Sequence, residues 1–145
     1  MHIYSAIFAA LLLLSPTLAD FHIGQIMNVA GSAPNPPTNT EHIACPSNYY
    51  NCNCFGSKDR AVNTYLGQNP ASATFSLNAG LCGMGQLDFY YQDSKKGWDF
   101  YVNGGDGSLQ GTCYPNSDTQ WCAIPLLWTT KYTDNLVCYS YICGQ

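Results

Sequence analysis

The chain has 145 residues, of which only 10% are charged, and its formal net charge at neutral pH is −4. This composition provides no basic surface for nucleic-acid phosphates and no polybasic segment for anionic lipid. A chain of this length corresponds to one domain with a modest hydrophobic core. We therefore expect no nucleic-acid partner and no membrane-spanning segment.

The N-terminus has the features of a secretory signal peptide. Residues 6–14 form an apolar run, which Pro16 ends, and Ala19 supplies a small residue at the expected cleavage point. The run is well short of the roughly 20 residues that a membrane-spanning helix needs. We therefore predict a cleaved signal peptide over residues 1–19 and a single secreted, cysteine-rich domain over residues 20–145.

The eight cysteines all follow this signal, as is typical of a disulfide framework in an exported protein. Spacing leaves the pairing open, but Cys52 and Cys54 need separate partners because side chains two residues apart point the same way on an extended chain. Cys113 and Cys122 flank a turn-rich stretch and could close a local loop. A zinc site is the alternative, and it lacks the usual ligand spacing, so we expect no metal and no cofactor. The predicted disulfide-bonded residues are Cys45, Cys52, Cys54, Cys82, Cys113, Cys122, Cys138 and Cys143.

The N-terminal half of the domain contains the one predicted helix. A strand is predicted over residues 21–29, followed by a proline-rich loop over residues 31–40. The helix is predicted over residues 57–66, because Ser57 can cap its start and Gly67 can end it in a left-handed conformation. A helix this short needs packing or the neighbouring disulfides to hold it.

The central part of the domain predicts a β-hairpin. Residues 86–92 and 97–103 alternate apolar and polar side chains on either side of a polar turn at residues 93–96. One face of this hairpin is apolar and carries Leu87, Phe89, Tyr91, Trp98, Phe100 and Val102. Shorter strands are predicted over residues 74–77, 109–114 and 136–142, and turns over residues 103–108, 115–119 and 133–135. The predicted fold is mainly β: a compact, disulfide-stabilised antiparallel sandwich or small barrel with one short helix.

Residues suited to a small secreted ribonuclease are present, but they do not form a complete catalytic arrangement. Glu41, His42 and Arg60 are of the residue types that serve in general acid–base catalysis and phosphate binding. Glu41 and His42 are adjacent, however, and face opposite ways on a strand. A mechanism with two histidines would also require His22.

A glycoside hydrolase would use paired carboxylates, which Asp88 and Asp99 could supply. They lie on the polar faces of the two hairpin strands, where aspartates are usually solvated. The sequence also has no nucleophile elbow of the G-x-S-x-G type. We expect a non-enzymatic protein, with a small hydrolase as the alternative.

The remaining sequence feature that indicates a function is a set of tyrosines. Tyr90 and Tyr101 lie on the hairpin face opposite the predicted core, and Tyr49 and Tyr50 lie in a segment rich in cysteine. Exposed aromatic rings stack on sugars or anchor protein interfaces. We predict these four tyrosines as contact residues for a host extracellular protein or a cell-wall glycan.

The segment CPSNYYNCNCF at residues 45–55 resembles small secreted cysteine-rich proteins of filamentous ascomycete fungi. The segments AGLCGMGQLDFY (79–90), GSLQGTCY (107–114) and LVCYSYICGQ (136–145) extend the resemblance over most of the mature chain. Some members of that class act as effectors or elicitors in plant tissue, and the class provides no catalytic residues to transfer. The resemblance implies a secreted effector or elicitor acting in the apoplast, and we expect the protein to be a monomer. A structural protein of the fungal wall is a further alternative.

Overall fold

The computed structural model describes residues 19–30, 40–56, 64–66, 70, 73–124 and 128–144. Nearly all of the predicted signal peptide and nearly all of the predicted proline-rich loop lie outside these residues. None of the helices within the described residues has the length and apolarity that crossing a membrane requires. The described residues form nine strands: β1 (Phe21–Ala30), β2 (Thr40–Pro46), β3 (Thr64–Leu66), β4 (Thr74–Leu77), β5 (Leu87–Gln92), β6 (Gly97–Val102), β7 (Leu109–Pro115), β8 (Thr119–Ile124) and β9 (Trp128–Ser140).

The strands form a single antiparallel sheet that curls into half a barrel, which confirms the predicted fold class. The strand order is β3-β2-β1-β9-β7-β6-β5-β4. β7 pairs with the C-terminal part of β9 and β8 with its N-terminal part, so β7 and β8 act as two halves of one bent strand. Besides the strands there are a short helix, α1 (Cys52–Gly56), and two single 3-10 turns at Ser47–Tyr49 and Leu81–Gly83.

The two faces of the sheet carry separate apolar layers, because successive side chains of a strand point to opposite faces. We call the face that holds the larger layer the inner face and the opposite one the outer face. The inner layer consists of Phe21, Ile23, Ala44, Phe75, Leu77, Leu81, Leu87, Phe89, Trp98, Phe100, Cys113, Leu136 and Cys138. The outer layer is confined to the end of the sheet near α1 and consists of Ile26, Ile43, Cys45, Cys54, Phe55, Cys122 and Tyr132.

The predicted hairpin is confirmed as β5 and β6, with a turn at residues 93–96. Phe89 pairs with Phe100, and both side chains are fully buried in the inner layer. Tyr91, at the end of the predicted apolar face, remains 37% exposed and makes an edge contact with Trp98. The alternation of residue types therefore identified which face of the hairpin enters the core.

The predicted turn at residues 133–135 is wrong, because β9 continues through it. Ile23 pairs with Leu136 and Gly24 pairs with Asp134, which leaves Asn135 as an extra residue in β9. This β-bulge breaks the two-residue alternation. As a result Leu136 enters the inner layer while Asp134 lies on the outer face.

The predicted helix is also wrong where the structure describes it. Residues 57–63 lie outside the described part, and Thr64–Leu66 form β3, in which Tyr65 pairs with Ile43 of β2. Pairing with a neighbouring strand can override a weak local helix preference. The helix that is observed, α1, lies just before the predicted one and carries two disulfide-bonded cysteines.

All eight cysteines form disulfides, and these leave no thiolate for zinc. The separate partners predicted for Cys52 and Cys54 are confirmed. A local bond between Cys113 and Cys122 is wrong, because Cys113 lies on the inner face and Cys122 on the outer face. The bonds are Cys45–Cys54, Cys52–Cys122, Cys82–Cys143 and Cys113–Cys138.

Candidate functional site

The outer face of β5, β6, β7 and the end of β9 carries a set of tyrosines away from the α1 end of the sheet. Tyr90 is 44% exposed and Tyr114 is 38% exposed, while Tyr101 and Tyr139 are half-buried. Each faces outward because its neighbours in the strand point into the inner layer. We call this surface the tyrosine face; it consists of Tyr90, Tyr101, Tyr114, Tyr139, Asp88, Asp99 and Thr112.

The tyrosines are arranged as two pairs. The ring centroids of Tyr90 and Tyr101 are 6.0 Å apart, and those of Tyr114 and Tyr139 are 6.1 Å apart, both with inclined ring planes. In the strand register Tyr90 lies opposite Asp99, Asp99 opposite Thr112, and Thr112 opposite Tyr139. Three strand spacings separate the ends of this row, so Tyr90 and Tyr139 lie about 14 Å apart.

The centre of the tyrosine face is polar and internally paired. Lys95 donates to both carboxylate oxygens of Asp99, at 2.9 and 2.8 Å, and the Thr112 hydroxyl donates to the same group at 2.7 Å. Burial by itself raises the pKa of Asp99, but the hydrogen bonds and the Lys95 charge outweigh it and hold the pKa below its usual value. Asp99 is therefore a buried, ionised partner of Lys95, not the solvated side chain that the sequence suggested.

Asp88 is held ionised in a similar way. Its carboxylate accepts hydrogen bonds from Ser76 at 2.8 Å, Gln86 at 2.9 Å and Asn103 at 2.7 Å. Burial raises the pKa of Asp88, and these three donors lower it further than burial raises it. Retaining and inverting glycosidases both need one carboxyl group with a raised pKa as general acid. Neither Asp88 nor Asp99 is prepared for that role.

A shallow depression lies at one end of the tyrosine face. Its volume is about 640 Å³, and it is lined by Gly111, Thr112, Tyr114, Pro115, Val137 and Tyr139. Gly97 permits the position of Tyr114, because a Cβ at residue 97 would lie 3.0 Å from Cδ1 of that ring and 2.5 Å from a backbone oxygen. The second tyrosine pair thus borders a concave surface and is not simply exposed on a flat one.

The other two predicted contact residues lie elsewhere. Tyr49 is 37% exposed and borders a separate open depression of about 650 Å³ beside the Cys82–Cys143 disulfide. The Tyr50 ring stacks on His22 with centroids 4.0 Å apart and makes an edge contact with Tyr132. Tyr50 therefore belongs to a packed cluster, and the structure does not bring it next to the tyrosine face.

That cluster contains a pair formed by the partly buried His22 and the buried Asp134, which sequence reasoning missed. His22 Nδ1 lies 2.6 Å from Asp134 Oδ2, and the Asn116 amide donates to the same oxygen at 2.6 Å. Burial, followed by the negative charge of Asp134, raises the pKa values of Tyr50 and Tyr132. The pair was not foreseeable because it depends on the bulge that turns Asp134 to the outer face.

The geometry does not assemble the predicted ribonuclease residues. His22 lies on the outer face, whereas His42, which alternates with inner-face Ala44, lies on the inner face. Burial lowers the pKa of His42. Arg60 lies outside the described residues. The two histidines are thus separated by the sheet and cannot act on one substrate.

No protein-family model matches the chain, and neither a curated protein nor a solved structure matches it. The residues of the tyrosine face therefore provide the structural indication of a function. Tyr114 and Tyr139 were missed as contact residues, although a signal for them exists. Each directly follows a cysteine that is buried on the inner face, so alternation places each tyrosine on the outer face.

Proposed function

We propose that this chain is a secreted, non-enzymatic protein of a plant-associated fungus that acts as an effector or elicitor in the apoplast. Four disulfides support an extracellular location, because such bonds persist in oxidising compartments. The sequence resemblance to secreted fungal proteins supports the biological setting. The binding role is inferred from the tyrosine face.

The tyrosine face suits binding because its rings are at least partly exposed and are already in contact with one another. Tyrosine supplies a large amphipathic contact area with only two side-chain torsions to immobilise. Cross-strand contacts restrict Tyr90 and Tyr101, and likewise Tyr114 and Tyr139, before any partner arrives. A partner therefore meets a surface that loses little conformational entropy on binding.

The proposal is tested by infiltrating the protein into leaves of several plants. The full chain would be expressed in a secreting host and purified, oxidised, from the culture medium. We expect cell death or a defence response with the natural sequence and none with Tyr90→Ala combined with Tyr101→Ala. Trp121→Ala is the matched control, because Trp121 is 62% exposed and, next to the outer-face Cys122, points away from the outer face.

Two results would contradict the proposal. One is retention of the full response by the double tyrosine variant, with its fold verified by an unchanged unfolding transition. The other is the absence of any response to the natural protein in every plant tested. Reduced and alkylated protein serves as the unfolded control, and an equal response to it would show that the fold is not needed.

A further inference from the structure

We infer that the tyrosine face binds a neutral, linear glycan that lies across strands β5, β6, β7 and β9. The inference rests on the proposed function, in that this face must bind a partner at all. The inference adds the chemical class of that partner and its orientation across the strands.

The charges of the tyrosine face favour a neutral ligand. Its two carboxylates would repel an anionic polymer, and the Lys95 ammonium group beside them is already paired with Asp99 at 2.8 Å. An ionised carboxylate has about four acceptor positions. Asp88 accepts three described hydrogen bonds, so it retains capacity for a hydroxyl donor from a ligand. Sugar hydroxyls are uncharged donors of this kind.

The spacing of the aromatic pairs favours a linear ligand. Tyr90 of one pair and Tyr139 of the other lie at the two ends of one cross-strand row, about 14 Å apart. Between them lie the polar groups of Asp99 and Thr112 and the Lys95 amine. A chain of sugar rings presents apolar ring faces and polar edges in succession, and therefore matches an order of aromatic, polar and aromatic groups.

The same centre is poorly suited to a protein partner. The buried core of a protein interface is depleted of charged residues and rich in apolar anchors. Here the middle of the face is the Lys95–Asp99 ion pair, and the aromatic rings lie on either side of it. A protein covering both tyrosine pairs would have to enclose that ion pair at its centre.

The test uses the purified, oxidised full chain and a panel of neutral glycans: cellulose, chitin and β-1,3-glucan as solids, with oligosaccharides of each in a length series. Sedimentation with the solids identifies a ligand, and calorimetry with the oligosaccharides measures affinity. We expect affinity to rise with oligosaccharide length until both tyrosine pairs are reached and then to level off. We also expect little dependence on salt, because the ligand is uncharged.

The variants test the two pairs separately. Tyr90→Ala and Tyr139→Ala are each expected to weaken binding about tenfold, which is the loss of one aromatic stacking contact. Tyr90→Phe and Tyr139→Phe keep the ring and should bind nearly as well as the natural protein. Trp121→Ala should leave the affinity unchanged.

The outcomes separate this inference from the proposed function. If no glycan of the panel binds, yet the tyrosine variants lose the leaf response, the ligand class is wrong and the binding role of the face stands. A glycan affinity that is the same in both alanine variants as in the natural protein would overturn the binding role of the tyrosine face itself. Binding that reaches its full strength at a single sugar unit would overturn the path across the strands.

Discussion

Gly24→Ala is expected to lower the free energy of unfolding by about 1–2 kcal/mol. A Cβ at residue 24 would lie 2.4 Å from the Thr133 carbonyl oxygen and 2.6 Å from Cζ and Oη of Tyr132. Neither neighbour can move away cheaply. The Thr133 oxygen belongs to the backbone of β9, and the fully buried Tyr132 ring stacks on Phe55 with centroids 4.0 Å apart.

The magnitude is the difference between two opposing effects. Forcing an extra carbon into a packed core costs about 1–3 kcal/mol. Replacing glycine by alanine also restricts the unfolded chain, which stabilises a protein by about 0.4–1 kcal/mol where the native conformation permits it. At Gly24 the first effect exceeds the second, so the substitution destabilises.

Gly85→Ala is the matched control, and urea unfolding of the oxidised proteins is the assay. A Cβ at residue 85 meets nothing within 4 Å. This variant should be unchanged or stabilised by up to about 1 kcal/mol. Both variants add the same methyl group, and the space around that group differs between them. The urea concentration at the unfolding midpoint should therefore be lower for Gly24→Ala than for Gly85→Ala, at the same m-value. Equal midpoints would refute the packing argument.

Three further outcomes are expected. Cys52→Ser with Cys122→Ser removes a cross-link between residues 70 apart in sequence, and should lower the free energy of unfolding in urea by about 4 kcal/mol. A loss under about 1 kcal/mol would contradict the chain-entropy estimate. Asp99→Asn should destabilise by about 1 kcal/mol at neutral pH. The pKa of Asp99 in the folded protein is lowered, so the stability difference between the natural protein and the variant should disappear as the pH falls through that pKa. A difference in urea midpoints that stays the same at every pH would contradict this expectation. Tyr50 and Tyr132 have raised pKa values, so in an ultraviolet absorbance titration they should stay protonated while exposed tyrosines ionise. Their contribution to stability should be lost as the pH rises above the usual tyrosine value, and simultaneous ionisation of every tyrosine in the folded protein would be inconsistent with the packed cluster.

The sequence predicted those parts of the fold whose causes are local. The β5–β6 hairpin follows from alternation on both sides of a short polar turn, and its core face is occupied by Phe89 and Phe100 as predicted. The same alternation placed Tyr90 and Tyr101 on the opposite face. No distant residue is needed for either inference, which is why both agree with the structure.

Features that depend on distant partners were not predictable in the same way. The bulge at Asn135 is visible only once β9 is aligned with β1, because residues 133–135 alone have the composition of a turn. It brings Asp134 to within 2.6 Å of His22, a residue 112 positions earlier in the chain. The disulfide pairs likewise depend on which face of the sheet each cysteine occupies.

The Cys113–Cys138 disulfide connects the fold to the proposed binding surface. The two cysteines are directly opposed on β7 and β9, with their Cα atoms 4.0 Å apart, and both are buried on the inner face. The next residue in each strand is a tyrosine on the outer face, so the covalent bond lies beneath the Tyr114–Tyr139 pair. It links the two strands whose separation sets the distance between those rings. A surface with preset ring positions can bind through stacking without first ordering its own side chains. The oxidised state therefore matters for the binding geometry as well as for stability.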